Sequence, residues 1–284
     1  MAEIIDGRLV SQSLRAKIAS EIGELSAKYG ETPGLAVIKV GDDPASAVYV
    51  RNKHKACLDV GIRSYQIELP EATTEQELLS KIDELNGNPQ VNGILVQLPL
   101  PRHISEDSVI SRISPEKDVD AFHAQNVGKI MIGNYTFLPC TPAGVMELLA
   151  YYNINVEGKR CVVIGRSNIV GKPMSLLLLE KNGTVTVCHS RTKNLSDITK
   201  EADILVVAIG RAGFLSADMV KVGCVVIDVG INRLPDGKLC GDVCFDEVSE
   251  RASYITPVPG GVGPMTITML LKNTVSAFVM QKSK

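Results

Sequence analysis

Strand-sized apolar runs alternate with helix-like segments along almost the entire chain, and this alternation limits the possible folds more than any other feature. The runs are "GLAVIKVG" (34–41), "SYQIELP" (64–70), "VNGILVQLPLP" (91–101), "CVVIG" (161–165), "TVTVCHS" (184–190), "DILVVAIG" (203–210) and "CVVIDVG" (224–230). Between them lie helical patterns over 44–61, 73–86, 105–113, 170–182, 195–202 and 216–223, after an opening one over 8–29 with Leu14, Ile18, Ile22 and Leu25 on one face. Strands this apolar are buried on both faces, as in a parallel sheet covered by helices. Residues 114–140 interrupt the rhythm with polar and glycine-rich pieces and read as a loop-rich connection. A helix then restarts with Thr141 as N-cap and Pro142 at the first helical position. The expected fold is therefore two α/β domains with a cleft between them. Residues 1–140 form one domain, and "MTITMLLKNTVSAFVMQKSK" (265–284) reads as a long amphipathic helix. Residues 141–264 form a Rossmann-like doubly wound parallel sheet.

A chain of 284 residues suits two such domains. Its net charge of −2 offers no electrostatic reason to bind nucleic acid or an acidic membrane. No apolar stretch approaches the ~18 residues that cross a bilayer. "MAEIIDGRLV" does not read as a signal peptide, because it has no basic stretch ahead of an apolar one. The seven cysteines are an odd number without metal-ligand spacing, so they are expected to be reduced thiols of a cytoplasmic protein, with no metal site.

The segment "CVVIGRSNIVGKP" follows the order strand, turn, helix. A turn of this kind aims backbone N–H groups and a helix N-terminus at one point, which attracts phosphate. The usual G-x-G-x-x-G spacing is absent: Gly165 and Gly171 stand six apart, and Ser167 replaces the middle glycine. Gly165 supplies a turn, Ser167 a hydroxyl, Arg166 a cation and Gly171 close packing of helix on sheet. In NAD sites an acidic residue about 20 positions on holds the ribose 2′-hydroxyl. Here the next strand ends "CHSRTKN", with Ser190, Arg191 and Lys193 and no carboxylate, which favours NADP. The alternative is a plain turn beside a solvated basic surface.

In the first half, Tyr49 and Lys53 lie four apart and share a helix face. A lysine buried beside them could move protons, since burial lowers its pKa toward neutral; the same spacing also describes ordinary surface packing. Gln97 in "QLPLP" stands at the carboxyl end of a strand, where parallel sheets bind ligands. "DVDAFH" places Asp118, Asp120 and His123 on the loop-rich stretch, and "TPVPGGVGPMT" (256–266) is a rigid segment before the last helix.

Taken in order, "PASAVYVRNKHKAC", "GILVQLPLP", "KDVDAFH", "PCTPAGV", "VVIGRSNIVGKP", "VIDVGIN", "GDV" and "TPVPGGVGPMT" closely resemble the bifunctional methylenetetrahydrofolate dehydrogenase/methenyltetrahydrofolate cyclohydrolase family. The resemblance spans essentially the whole chain. It implies a folate-binding catalytic domain over 1–140 completed by the C-terminal helix 265–284, an NADP-binding domain over 141–264 and a homodimer. It implies that Lys53 is the central catalytic residue, with Gln97 tuning it, Tyr49 stacking on the folate and Asp120 binding the pterin edge. Val258, Pro259, Gly260 and Gly261 would line the folate site. Thr141, Gly165, Arg166, Ser167, Ile169, Ser190, Arg191, Gly210 and Ile231 would contact NADP. The implied reaction is NADP-dependent oxidation of methylenetetrahydrofolate and hydrolysis of the methenyl product to 10-formyltetrahydrofolate. Two rivals stay open: a two-domain dehydrogenase of the shikimate or amino-acid type, and a non-catalytic NADPH-binding sensor. The first does not account for "QLPLP" or "PGGVGPMT", and the second gives no reason for Tyr49, Lys53, Gln97 and Asp120 to occur together.

Overall fold

The computed structural model describes residues 1–283. It divides into two compact units, 1–12 with 139–266 and 13–138 with 267–284. The first strand, β1 (Glu3–Ile4), is followed by the long helix α1 (Gly7–Tyr29). The N-terminal unit is then built from β2 (Gly34–Val40), α2 (Pro44–Val60), β3 (Arg63–Leu69), α3 (Glu75–Gly87), β4 (Gly93–Val96) and α4 (Glu106–Arg112). Its sheet runs β3-β2-β4, all parallel, with β2 buried along its whole length. Ala36, Ile38, Val40 and Val96 on one sheet face pack against Leu78, Ile82 and Leu85 of α3 and Val109 of α4. Burying a side chain of this size contributes roughly 1.5–3 kcal/mol before chain entropy is counted.

The helix ends follow local chemistry. The Asp43 carboxylate accepts from the Ser46 amide at 2.7 Å, and Pro44 opens α2. Gly61, at φ 89°, closes it in the left-handed conformation that glycine adopts without strain. Thr74 and Glu77 form the expected capping box of α3, the Thr74 amide donating to Glu77 at 2.8 Å. The strand expected over 91–101 is cut to Gly93–Val96, since Pro99 and Pro101 have no N–H to offer a ladder.

Residues 114–140 are not all loop. Asp118 forms a parallel bridge with Ile94, so the chain briefly extends the sheet beside β4. A short helix, α5 (Ala124–Met131), follows, capped by His123 Nδ1 accepting from the Gln125 amide at 3.1 Å. Gly128 in its interior hides it from a propensity reading. The next helix, α6 (Cys140–Tyr151), starts two residues earlier than expected, with Pro139 at the N-cap. Thr141 therefore lies inside its first turn, and its hydroxyl sits 3.1 Å from that of Thr266.

The second unit continues with β5 (Arg160–Ile164), α7 (Gly171–Glu180), β6 (Thr184–Cys188), α8 (Leu195–Thr199), β7 (Ile204–Val207) and β8 (Val225–Asp228). A two-stranded hairpin, β9 (Asn232–Arg233) with β10 (Leu239–Cys240), precedes α9 (Phe245–Ser249), β11 (Tyr254–Ile255) and α10 (Val262–Lys282). The six-stranded sheet has the order β6-β5-β7-β8-β11-β1, and every pair is parallel. The helix expected over 216–223 is only one 3-10 turn, Ala217–Met219. Its core joins Val162, Ile164, Leu205, Val207 and Val226 to Leu215, Val243, Val248 and Ile255.

One domain boundary needs correcting. Residues 1–12 do not belong with the rest of 1–140, because β1 pairs with β11 at the edge of the six-stranded sheet. Gly7 approaches so closely that a Cβ there would overlap the Gly261 carbonyl. A two-residue strand carries no periodicity that a sequence reading could detect.

Candidate active site

Both sheets have a switch point, where one crossover leaves to the left of a strand and the next to its right; ligands bind at the carboxyl ends of strands there. In the N-terminal unit that point lies between β2 and β4. Gln97 directly follows β4, and its amide donates to Ile38 of β2 at 2.8 Å. The Lys53 ammonium, on α2, donates to Gln97 Oε1 at 2.9 Å, and Gln97 Nε2 donates to the Leu98 carbonyl at 2.7 Å. The second bond fixes which face of the amide meets the lysine. Lys53 is only 9% exposed, and Gln97 is a neutral amide. Tyr49, one turn earlier on the same helix, presents 41% of its surface.

Asp120 follows the bridge at Asp118. It lines a small recess with Val96, Leu98, Asp118 and Phe122 at the carboxyl end of β4. Asp118 is buried and structural: it accepts from the His123 amide at 2.8 Å and from Asn126 Nδ2 at 2.9 Å. Burial pushes its carboxyl up from the usual range, and those hydrogen bonds pull it back in part. Within this unit the structure thus joins Lys53 to Gln97 and sets Tyr49 and Asp120 on the elements flanking the switch point. Val258 to Gly261 belong to the other unit, ahead of α10, with Gly260 at φ 112°.

In the second unit the switch point lies between β5 and β7, and an open groove of about 450 Å³ occupies it. Ile164, Gly165 and Arg166 after β5, His189, Ser190 and Thr192 after β6, and Ala208, Ile209, Arg211 and Phe214 after β7 line it. Gly165 has φ 132°, and a Cβ on it would overlap the Ala208 carbonyl oxygen. Gly165→Ala is therefore expected to cost about 2–3 kcal/mol of stability through backbone strain alone, read as a lower urea midpoint. An unchanged midpoint would mean that the turn relaxes freely.

Ser167 Oγ accepts from the amides of Val170 at 3.1 Å and Gly171 at 3.3 Å. It thus caps the N-terminus of α7. Of the expected cofactor residues, the groove collects Gly165, Arg166 and Ser190; Gly210 stands between Ile209 and Arg211. Ser167, Arg191, Thr141, Ile169 and Ile231 do not line it. His189, Thr192, Ala208, Ile209, Arg211 and Phe214 were not foreseen. The strand-end rule could have found His189 and Ala208. Arg211, stacked on Phe214 with its guanidinium carbon 4.9 Å from the ring centroid, had no sequence signal.

Behind the groove two carboxylates are buried side by side. Asp228 accepts from the amides of Gly230, Asp242 and Val243 at 2.9–3.0 Å. Asp242 accepts from the amides of Ile209, Gly210 and Arg211 and from Asn232 Nδ2 at 2.8–3.0 Å. Burial, with a smaller push from Asp242, moves the Asp228 carboxyl up to about 6. A raised carboxyl keeps its proton in the folded chain after the unfolded chain has lost it. Its favourable contribution is complete below about pH 4 and disappears as pH rises through about 6. The stability of the native chain relative to Asp228→Asn, which cannot ionise there, is expected to fall by roughly 2–3 kcal/mol from pH 4 to 7. Urea denaturation across that range checks it, and a flat difference would contradict it.

The geometry can now be set against known proteins. Residues 5–120 match the family described as tetrahydrofolate dehydrogenase/cyclohydrolase, catalytic domain, and residues 139–282 match the same family's NAD(P)-binding domain. The chain belongs to the tetrahydrofolate dehydrogenase/cyclohydrolase family. It is 61% identical over 276 residues to the bifunctional protein FolD of Bacillus subtilis, covering 97% of each chain. The crystal structure of the bifunctional FolD enzyme from Campylobacter jejuni is 52% identical and superposes with a TM-score of 0.97 over 99% of both chains. The Trypanosoma brucei methylenetetrahydrofolate dehydrogenase-cyclohydrolase, solved with NADP cofactor and an inhibitor, is 42% identical with a TM-score of 0.96, over 100% of this chain and 99% of that one. The family expected from the residues is thus the family found, and the shikimate-type and sensor alternatives fall away.

Proposed function

We propose that Lys53, held by Gln97, performs the proton transfers of the cyclohydrolase step, and that the groove after β5, β6 and β7 binds NADP. The single observation that carries this reading is the 2.9 Å bond between a buried lysine and a neutral amide at a sheet switch point. The enzyme is a bifunctional NADP-dependent methylenetetrahydrofolate dehydrogenase and methenyltetrahydrofolate cyclohydrolase. It oxidises 5,10-methylenetetrahydrofolate to the methenyl form and hydrolyses that to 10-formyltetrahydrofolate.

The residues fit the cofactor. The glycine turn allows close backbone approach, Arg166 and Ser190 present a cation and a hydroxyl, and no carboxylate lines the groove. Bound NADP supplies the hydride acceptor. The chain's own residues orient the folate and move protons. Loss of hydride from the one-carbon bridge leaves a cation stabilised by two nitrogens, so this step needs positioning rather than a base. In hydrolysis water adds to that carbon and loses a proton, one carbon–nitrogen bond breaks, and the freed nitrogen gains a proton. A lysine ε-amino group within reach can serve both transfers. Tyr49 stacks on the folate ring system, and Asp120 accepts from the pterin edge. Val258 to Gly261 bind the folate as well.

Mixing the protein with methylenetetrahydrofolate and NADP, and following the rise and decay of methenyl absorbance, tests the reading. Decay that continues unchanged when Gln97 is replaced by alanine would count against the Lys53–Gln97 assignment. The reading includes a homodimer, which sedimentation would check. It also includes a cytoplasmic location, which the absence of any membrane-length apolar helix among the described residues permits.

A further inference from the structure

We propose that Asp242 is a positioning residue for NADP: its carboxylate sets the wall of the cofactor groove formed by residues 208–211. This rests on the assignment of that groove to NADP. Three consecutive amides, of Ile209, Gly210 and Arg211, converge on one carboxylate, and Asn232 Nδ2 steadies it from the far side. Peptide N–H and C=O bonds point in opposite directions. The carbonyls of Ala208, Ile209 and Gly210 therefore point away from Asp242. The crowding of Ala208 O against Gly165, itself a groove residue, shows where the first of them goes. The Ala208 carbonyl is thereby set against the Gly165 turn as an acceptor for a hydroxyl or amide donor of the dinucleotide, and Arg211, whose amide the same carboxylate holds, lines the groove beside it.

A merely structural turn does not need this carboxylate. The following segment is already tied to residues 241–244 by backbone bonds: the Gly213 amide to Gly241 O at 3.1 Å, Leu215 to Asp242 O at 2.9 Å, and Cys244 to Leu215 O at 2.9 Å. Asp242 is fully buried beside a second carboxylate, an arrangement that burial opposes. The site is also built to fit it. Any side chain at Gly230 would overlap the Asp242 carboxylate, and any at Gly241 would overlap that of Asp228. Asp228 accepts from the Asp242 and Val243 amides and so fixes the segment from which Asp242 projects.

The test uses the full-length enzyme with Asp242→Asn, which keeps shape but turns one acceptor into a donor facing other donors. The expected result is a rise of about tenfold or more in the NADP KM and in the NADPH dissociation constant by fluorescence titration. The KM for methylenetetrahydrofolate, and the cyclohydrolase rate measured on methenyltetrahydrofolate without NADP, should stay within about twofold, as expected for sites not sharing the contact. An unchanged NADP KM, or a parallel fall of both activities, would overturn the proposal. If Asp242→Asn does not fold, Asn232→Ala decides: it removes one donor, and must raise the NADP KM about threefold with cyclohydrolase intact. Arg166→Ala is run alongside. If it weakens NADP binding and the Asp242 variant does not, only this proposal fails; if neither does, the groove assignment fails with it.

Discussion

Lys53→Met is expected to lower cyclohydrolase turnover by about 10²–10⁴-fold, the range of a single general acid–base group, while part of the dehydrogenase turnover survives. Methionine keeps the length and apolar stem of lysine, so the buried position between α2 and the end of β4 stays filled. What disappears is the ε-amino group, together with its 2.9 Å bond to Gln97 Oε1. Gln97 keeps its other bond, to the Leu98 carbonyl, and the strand end should hold its shape. The two activities separate because only hydrolysis moves protons on and off heavy atoms. Hydride departure creates a cation that the folate nitrogens stabilise by themselves. In a coupled assay the variant should accumulate the methenyl compound, visible as a lasting absorbance where the native enzyme shows a transient. Full hydrolysis by the variant would remove Lys53 from the centre of the chemistry.

Arg166→Ala is expected to raise the KM for NADP by about 10–100-fold, the value of one charged hydrogen-bonding contact to phosphate. Its effect on kcat at saturating NADP should be small, because Arg166 would meet a phosphate rather than the reacting ring. Activity with NAD should change far less, which makes the ratio of the two cofactors the decisive reading. The expectation stands on position: Arg166 directly follows Gly165 at the switch point, and Ser190 faces the same groove from the end of β6. Equal loss with NAD and NADP would place Arg166 on a group common to both dinucleotides.

The two halves of the fold were unequally legible. Helix α2 was legible through its closing Gly61 and α3 through the Thr74–Glu77 box, because such end signals are chemistry between residues close in the chain. The central strands β2, β5, β7 and β8 were visible because burial on both faces demands unbroken apolar runs. The short elements were not: β11 exists as a strand because it lies beside β8, and β1 because it lies beside β11, while α5 carries a glycine inside it. Thr141 was misplaced as a cap by a serviceable local pattern, since Pro139 two residues earlier already opens the helix.

The sequence by itself determined the α/β class, the family and the residues at the strand ends, since these depend on period, local caps and motifs read in order. Only the tertiary structure decided that residues 1–12 belong to the six-stranded sheet. Only it closed the bond from Lys53 to Gln97 across 44 positions, and bound Asp242 to amides more than thirty positions earlier. The reason is physical. A hydrogen bond is specific within a few tenths of an ångström, and a partner distant along the chain is chosen by the sheet that brings it near. Nothing in the residue's own neighbourhood carries that information.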